Sequence, residues 1–135
     1  MTVTRRYKFA ASHRLNAPSL DEHENRELYG KCNNPYGHGH NYLLEVAVAG
    51  PVDPSTGRVT NPARLDQYVR AQVVDVYDHK DLNVDTTDFQ HLVPTTENLA
   101  RIIRRRLESA WEVAVPGTRL AGIRIEETPR NSFEA

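Results

Sequence analysis

Gly39-His-Asn-Tyr-Leu-Leu-Glu-Val-Ala-Val-Ala-Gly50 alternates: His40, Tyr42, Leu44, Val46 and Val48 fall on one side of an extended chain. A period of two over this length predicts a strand with one face against a core. Upstream, Val3 to His13 repeats the pattern, with Tyr7, Phe9, Ala11 and His13 on one face and Lys8, Ala10 and Ser12 on the other. The polar, acidic stretch from Asn16 to Asn34 reads as a long loop. Unstructured connections of that length in small domains usually serve a site. Downstream, Asp53-Pro-Ser-Thr-Gly57 is turn chemistry, and Arg58 to Thr60 reads as a short returning hairpin arm.

Asn61-Pro62 is an N-cap followed by proline at the first helical position. Leu65, Val69, Val73 and Val76 then predict a helix of about four turns, ending near Asp78. Pro94-Thr-Thr-Glu-Asn98 opens a second helix, whose apolar stripe is Leu99, Ile102, Ile103, Leu107 and Ala110. Leu120 to Glu127 reads as a long strand, with at most a short one after it. Two strands before two helices predict an antiparallel α+β arrangement rather than alternating βαβ units. At 135 residues the chain is expected to form a single domain, 1–135.

Seventeen basic side chains stand against 18 acidic ones, a net charge of −1. That balance offers no electrostatic footprint for nucleic acid or an anionic membrane. No apolar run is long enough to span a bilayer, and Met1-Thr-Val-Thr-Arg-Arg6 lacks the apolar core of a secretory signal. The single cysteine, Cys32, excludes an internal disulfide and suggests a reducing, cytoplasmic setting. Six histidines accompany it, so a metal site must be built on imidazole.

The chemistry concentrates in Cys32-Asn-Asn-Pro-Tyr-Gly-His-Gly-His40. His38 and His40 lie two apart, so on an extended chain both rings point to one side. His13 ends the first strand, and antiparallel pairing would bring it beside His40. Three histidines leave one tetrahedral position open, the arrangement of a catalytic zinc site; the plainer alternative is two solvated loop histidines and one at a strand end. Cys32 could be a base with a pKa lowered by a nearby cation and Lys31, a fourth metal ligand, or a small buried apolar group. Asp78 could orient His79 as a proton shuttle, or His79 could simply cap a helix C-terminus. Glu127 could present a carboxylate from the last strand. Arg104-Arg-Arg106 shares its helix with Glu97, Glu108 and Glu112 and reads as a solvated face, while His23 and His91 have no visible partners.

Six segments taken together resemble one family along almost the whole chain. They are Ala11-Ser-His-Arg-Leu15, Gly30-Lys-Cys-Asn-Asn-Pro-Tyr-Gly-His-Gly-His-Asn-Tyr42, Val52-Asp-Pro-Ser-Thr-Gly57, Asp78-His-Lys-Asp-Leu-Asn83, Pro94-Thr-Thr-Glu-Asn98 and Glu127-Thr128. In this order and spacing the sequence is similar to the 6-pyruvoyl-tetrahydropterin synthases. The resemblance implies a tunnelling fold: a small antiparallel sheet backed by two helices, trimers closing a barrel, two trimers stacking into a hexamer, and sites between subunits. It implies Zn2+ on His13, His38 and His40, Cys32 as the proton-abstracting thiolate, and Asp78 and His79 as its acid/base relay. Glu127 would anchor the pterin, and Thr95, Thr96 and Glu97 would line the pterin pocket from a neighbouring subunit.

The implied reaction converts 7,8-dihydroneopterin triphosphate to 6-pyruvoyl-tetrahydropterin with loss of triphosphate. The related 6-carboxy-tetrahydropterin synthases of queuosine precursor synthesis share fold, zinc and substrate, but commonly have a shorter gap between cysteine and HGH. Five residues separate Cys32 from His38 here, the longer form, which resembles the pyruvoyl type. A non-catalytic pterin- or zinc-binding module is the reading from another class. Cys32, Asp78 and His79 together argue against it. One departure is the tail: Pro129 follows closely on Glu127, leaving little room before Ala135 for the family's final strand.

Overall fold

The two alternating stretches form long strands and pair antiparallel. The computed structural model describes residues 1–135. Strand β1 (Thr2–His13) lies along β2 (His38–Ala49), with Tyr7 opposite Leu44, Ala11 opposite His40 and His13 opposite His38. β4 (Arg119–Thr128) pairs antiparallel with the other side of β2, and β5 (Asn131–Glu134) with β4. The two-residue β3 (Lys80–Asp81) adds to β1 in parallel, giving the order β3-β1-β2-β4-β5. The sheet is therefore antiparallel except at one short edge.

One face of this sheet carries the core. Phe9, Leu44, Val46, Val48, Ile123 and Ile125 are buried against Leu65, Val69, Val73 and Tyr77 of the first helical run and Leu99, Ile103 and Leu107 of the second. Each fully buried aliphatic side chain contributes about 1.5–3 kcal/mol relative to exposure. The first run begins at α2 (Pro62–Val69), passes through a π-helical stretch at Arg70–Val74 and ends with α3 (Asp75–Tyr77). Asn61 caps it, accepting from the backbone N–H groups of Ala63 and Arg64. The second is α4 (Thr96–Glu108), capped by Thr95, with a short α5 (Trp111–Ala114) behind it. Both helices pack on one face and leave the opposite face polar: Glu45 there accepts from Arg6 at 3.2 Å and meets Arg124 at 3.5 Å.

Three expectations change. The stretch from Asn16 to Asn34 is not a plain loop. It holds helix α1 (Glu22–Tyr29) and a 3-10 turn at Gly30–Asn33. Periodicity misses α1 because its one buried residue is polar. Asn25 donates to the carbonyls of Ala17, Leu20 and Asp21, while Asp21 and Glu24 form a reciprocal capping box. The tail does supply a final strand. A tight turn at Pro129-Arg130 uses little chain, so β5 pairs with β4, and Ala135 exchanges two backbone hydrogen bonds with Ile123. Finally, Arg58 to Thr60 returns only as a single bridge, Asp53 to Arg58, around a turn in which Gly57 takes a φ of 73°.

Candidate metal and proton-transfer site

The end of β1 and the start of β2 put three imidazoles on one face. The rings of His13 and His40 lie 4.9 Å apart between centroids, and those of His38 and His40 lie 4.8 Å apart. His13 is fully buried, whereas His38 sits exposed where β2 leaves the core. His13 Nδ1 is 2.9 Å from the carbonyl oxygen of Pro94, just before the α4 cap. A carbonyl only accepts, so Nδ1 carries the proton and Nε2 keeps its lone pair. Burial holds the His13 pKa below its ordinary value and so keeps the ring neutral. Nε2 is buried without any hydrogen-bond partner. A buried polar atom is seldom left so, and a carbonyl behind the opposite nitrogen is the usual support of a metal-binding histidine.

Cys32 comes to the same place from the 3-10 turn after α1. Its Sγ is 3.9 Å from His40 Nε2, and the donor atoms of His13, Cys32 and His40 all lie within 4.8 Å of one another. Two imidazole nitrogens and a sulfur, with a third imidazole at the rim, fit the preferences of zinc. The protein does not itself lower the thiol pKa. Burial pushes it up, and the Glu127 carboxylate pushes in the same direction. Lys31, expected to favour the thiolate, is exposed and does not offset that rise.

Glu127, near the end of β4, reaches this group from the other side, and its charge also acts on His13, His40 and Tyr42. The Thr96 hydroxyl, buried at the start of α4, donates to Glu127 Oε2. Thr96 thus serves the carboxylate of its own chain, whereas the resemblance implied a place in a neighbouring subunit's pocket. Thr95 is occupied as the α4 cap, and Glu97 is exposed in the first turn.

Asp78 and His79 do not join this cluster. Asp78 Oδ1 accepts from the Ala10 backbone N–H at 2.8 Å, and Oδ2 lies 2.9 Å from His79 Nδ1. His79 has a left-handed φ of 59°, which turns its ring back onto the preceding carboxylate although adjacent side chains usually diverge. Its side chain is 83% exposed, so it is presented outward rather than used as a buried cap. The Asp78 carboxyl is held below its usual range, chiefly by the Ala10 N–H. His79 borders a groove with Ala10, Ala11, Ser12, Gly39, His40 and Asn41. By strand alternation Ala10, Ser12, Gly39 and Asn41 occupy the face opposite to His13 and His40. His79 thus borders mainly the sheet face opposite to the thiol's, with His40 shared between the groove and the thiol's cluster.

Sequence reading missed three members of the site. The Pro94 carbonyl fixes the His13 ring, which no side-chain pattern encodes. Alternation marks Tyr42 only as a core residue, yet its hydroxyl is 3.4 Å from His13 Nδ1 while its ring stacks on Phe9 at 5.1 Å. Asn33 is buried beside Cys32.

The family model for 6-pyruvoyl tetrahydropterin synthase matches residues 2–135. Over 129 residues the chain is 45% identical to a 6-pyruvoyl tetrahydrobiopterin synthase of Poecilia reticulata, covering 96% of this chain and 85% of that one. The enzyme of the same name from Homo sapiens is 44% identical, with coverages of 96% and 86%. The solved structure of Caenorhabditis elegans 6-pyruvoyl tetrahydropterin synthase matches with a TM-score of 0.88 at 39% identity, over 100% of this chain and 94% of that one.

Proposed function

The chain belongs to the 6-pyruvoyl tetrahydropterin synthase family, and on that premise we propose that it converts 7,8-dihydroneopterin triphosphate to 6-pyruvoyl-tetrahydropterin, eliminating triphosphate, with Zn2+ held by His13, His38 and His40. The observation that carries this reading is the unpartnered buried Nε2 of His13, with the His40 ring 4.9 Å from the His13 ring and the His38 ring 4.8 Å from that of His40. When bound, the ion supplies Lewis acidity that holds the substrate's side-chain hydroxyls and acidifies the adjacent C–H bonds.

The rest falls to the chain's own groups. Glu127 accepts the N–H donors on the pterin's amidine-like edge, and the Thr96 hydroxyl keeps one of its oxygens in place. Thr95 and Glu97 border the same pocket. Cys32 takes the substrate proton. Because burial and Glu127 raise its pKa, it needs a base to remove the thiol proton. His79, with Asp78 at Nδ1, is suited to that work, but its exposed ring borders mainly the sheet face opposite to its own Cys32. The relay is therefore assigned to a neighbouring subunit in a homo-oligomer, a hexamer made of two trimers.

Mass spectrometry of the products from dihydroneopterin triphosphate tests the reaction. Triphosphate and the pyruvoyl product are expected, and release of acetaldehyde would instead assign the carboxy-type reaction. Zinc analysis tests the ligands. His38→Ala should lose bound zinc, while Cys32→Ala should keep it and lose turnover by about a hundredfold or more. The reverse pattern would make Cys32 the ligand and remove His38 from the site.

A further inference from the structure

We infer that Asn33 is a positioning residue for the reaction: its side-chain amide ties the Cys32 turn to the end of the histidine-bearing strand. The sheet register fixes His13 and His40 relative to each other, but Cys32 lies outside the sheet, on a four-residue turn. Something else must hold its sulfur in place. Leu15, two residues beyond His13, provides both attachment points. Its N–H donates to the Cys32 carbonyl at 2.7 Å. Its carbonyl accepts from Asn33 Nδ2, also at 2.7 Å in a buried setting. The same Nδ2 donates to Asn16 Oδ1 at 3.2 Å.

Asn33 thus occupies the place a strand neighbour would take, satisfying Leu15 where the sheet has ended. It is 5% exposed, so water does not compete for the amide. The chain stays close further along: a Cβ on Gly37 would meet the His13 carbonyl oxygen at 3.1 Å, so the segment between the Cys32 turn and β2 also passes close to the end of β1. Deleting the amide leaves the imidazoles in register and frees only the thiol. Misplacing a reacting group by about an ångström costs on the order of a hundredfold in rate.

This inference rests on the reading of Cys32 as the proton-abstracting group. Asn33→Asp keeps the shape and replaces the amide donor by an oxygen facing two acceptors. Asn33→Ser keeps a single donor and decides by the same readouts if the aspartate variant does not fold. The expected result is zinc content and KM within about twofold of wild type, with kcat lower by roughly tenfold to a hundredfold. In zinc-free protein, alkylation of Cys32 by iodoacetamide should be faster, because the freed turn exposes the sulfur. A folded variant with wild-type kcat and wild-type alkylation rate overturns the inference, and so does one that loses zinc in proportion to kcat. Full turnover in Cys32→Ala would overturn the underlying reading instead, leaving the alkylation rate to judge the tie.

Discussion

His13 Nε2 and Gly37 make opposite demands on the chain at the scale of single residues. An unpartnered buried polar atom costs about 1–3 kcal/mol, so the His13 nitrogen is a local expense of the fold that a bound cation would relieve. Gly37 lets the turn approach His13 at all. Its φ of 80° is left-handed, and a side chain there would press on the His13 carbonyl oxygen at 3.1 Å. Gly37→Ala is expected to cost about 1–3 kcal/mol in denaturant unfolding and to weaken zinc retention, because His38 follows directly. An unchanged midpoint would mean that the turn tolerates the side chain by moving away from His13.

Between elements, the contacts joining sheet and helices combine apolar packing with a few charged ties. Asp66 on α2 accepts from Arg5 Nε and Nη2 and from the Tyr7 hydroxyl, all at 2.7 Å, pinning α2 to β1. The Arg5 side chain is 41% exposed, so the ion pair itself is screened, and the half-buried Tyr7 bond matters more. Asp66→Asn is expected to destabilise by about 1–2 kcal/mol. The hydrogen bonds from Arg5, followed by that from Tyr7, hold the Asp66 carboxyl below its usual range. The unfolded chain therefore takes up this proton more readily than the folded one. The stabilisation is fully present above the unfolded value of about 3.9 and is lost as pH falls through the lower folded value. Thermal melts across that acid window should show a smaller loss in Asp66→Asn than in wild type; equal losses would remove Asp66 from acid unfolding. On the other side, Asp88 accepts from Tyr77 and Arg106 and ties α3 and α4 to the loop between them, the loop that delivers Pro94 to His13.

At the scale of the whole molecule, His79 borders mainly the sheet face opposite to the His13–Cys32–His40 group, so under the proposed mechanism the relay would reach the thiol from a second chain. Co-expression of Cys32→Ala with His79→Ala tests this. Each variant alone should be nearly inactive, whereas mixed oligomers should recover about a quarter of wild-type activity, since random pairing leaves that share of sites with both groups intact. No recovery in verified mixed oligomers would return the relay to its own chain. The sequence by itself determined the strands, the two capped helices and the meeting of His13 with His40, because period-two alternation and antiparallel pairing are local rules that carry side chains to one face. The final strand and α1 were less legible: β5 depends on a tight turn after Thr128, and α1 on hydrogen bonds from a single buried asparagine rather than an apolar stripe. Only the tertiary structure decided that the Pro94 carbonyl orients His13, that the Asn33 amide beside Cys32 bonds to Leu15, and that His79 borders mainly the opposite sheet face. Each of these depends on backbone groups or sheet faces brought together from distant parts of the chain, and residue types in order do not encode such encounters.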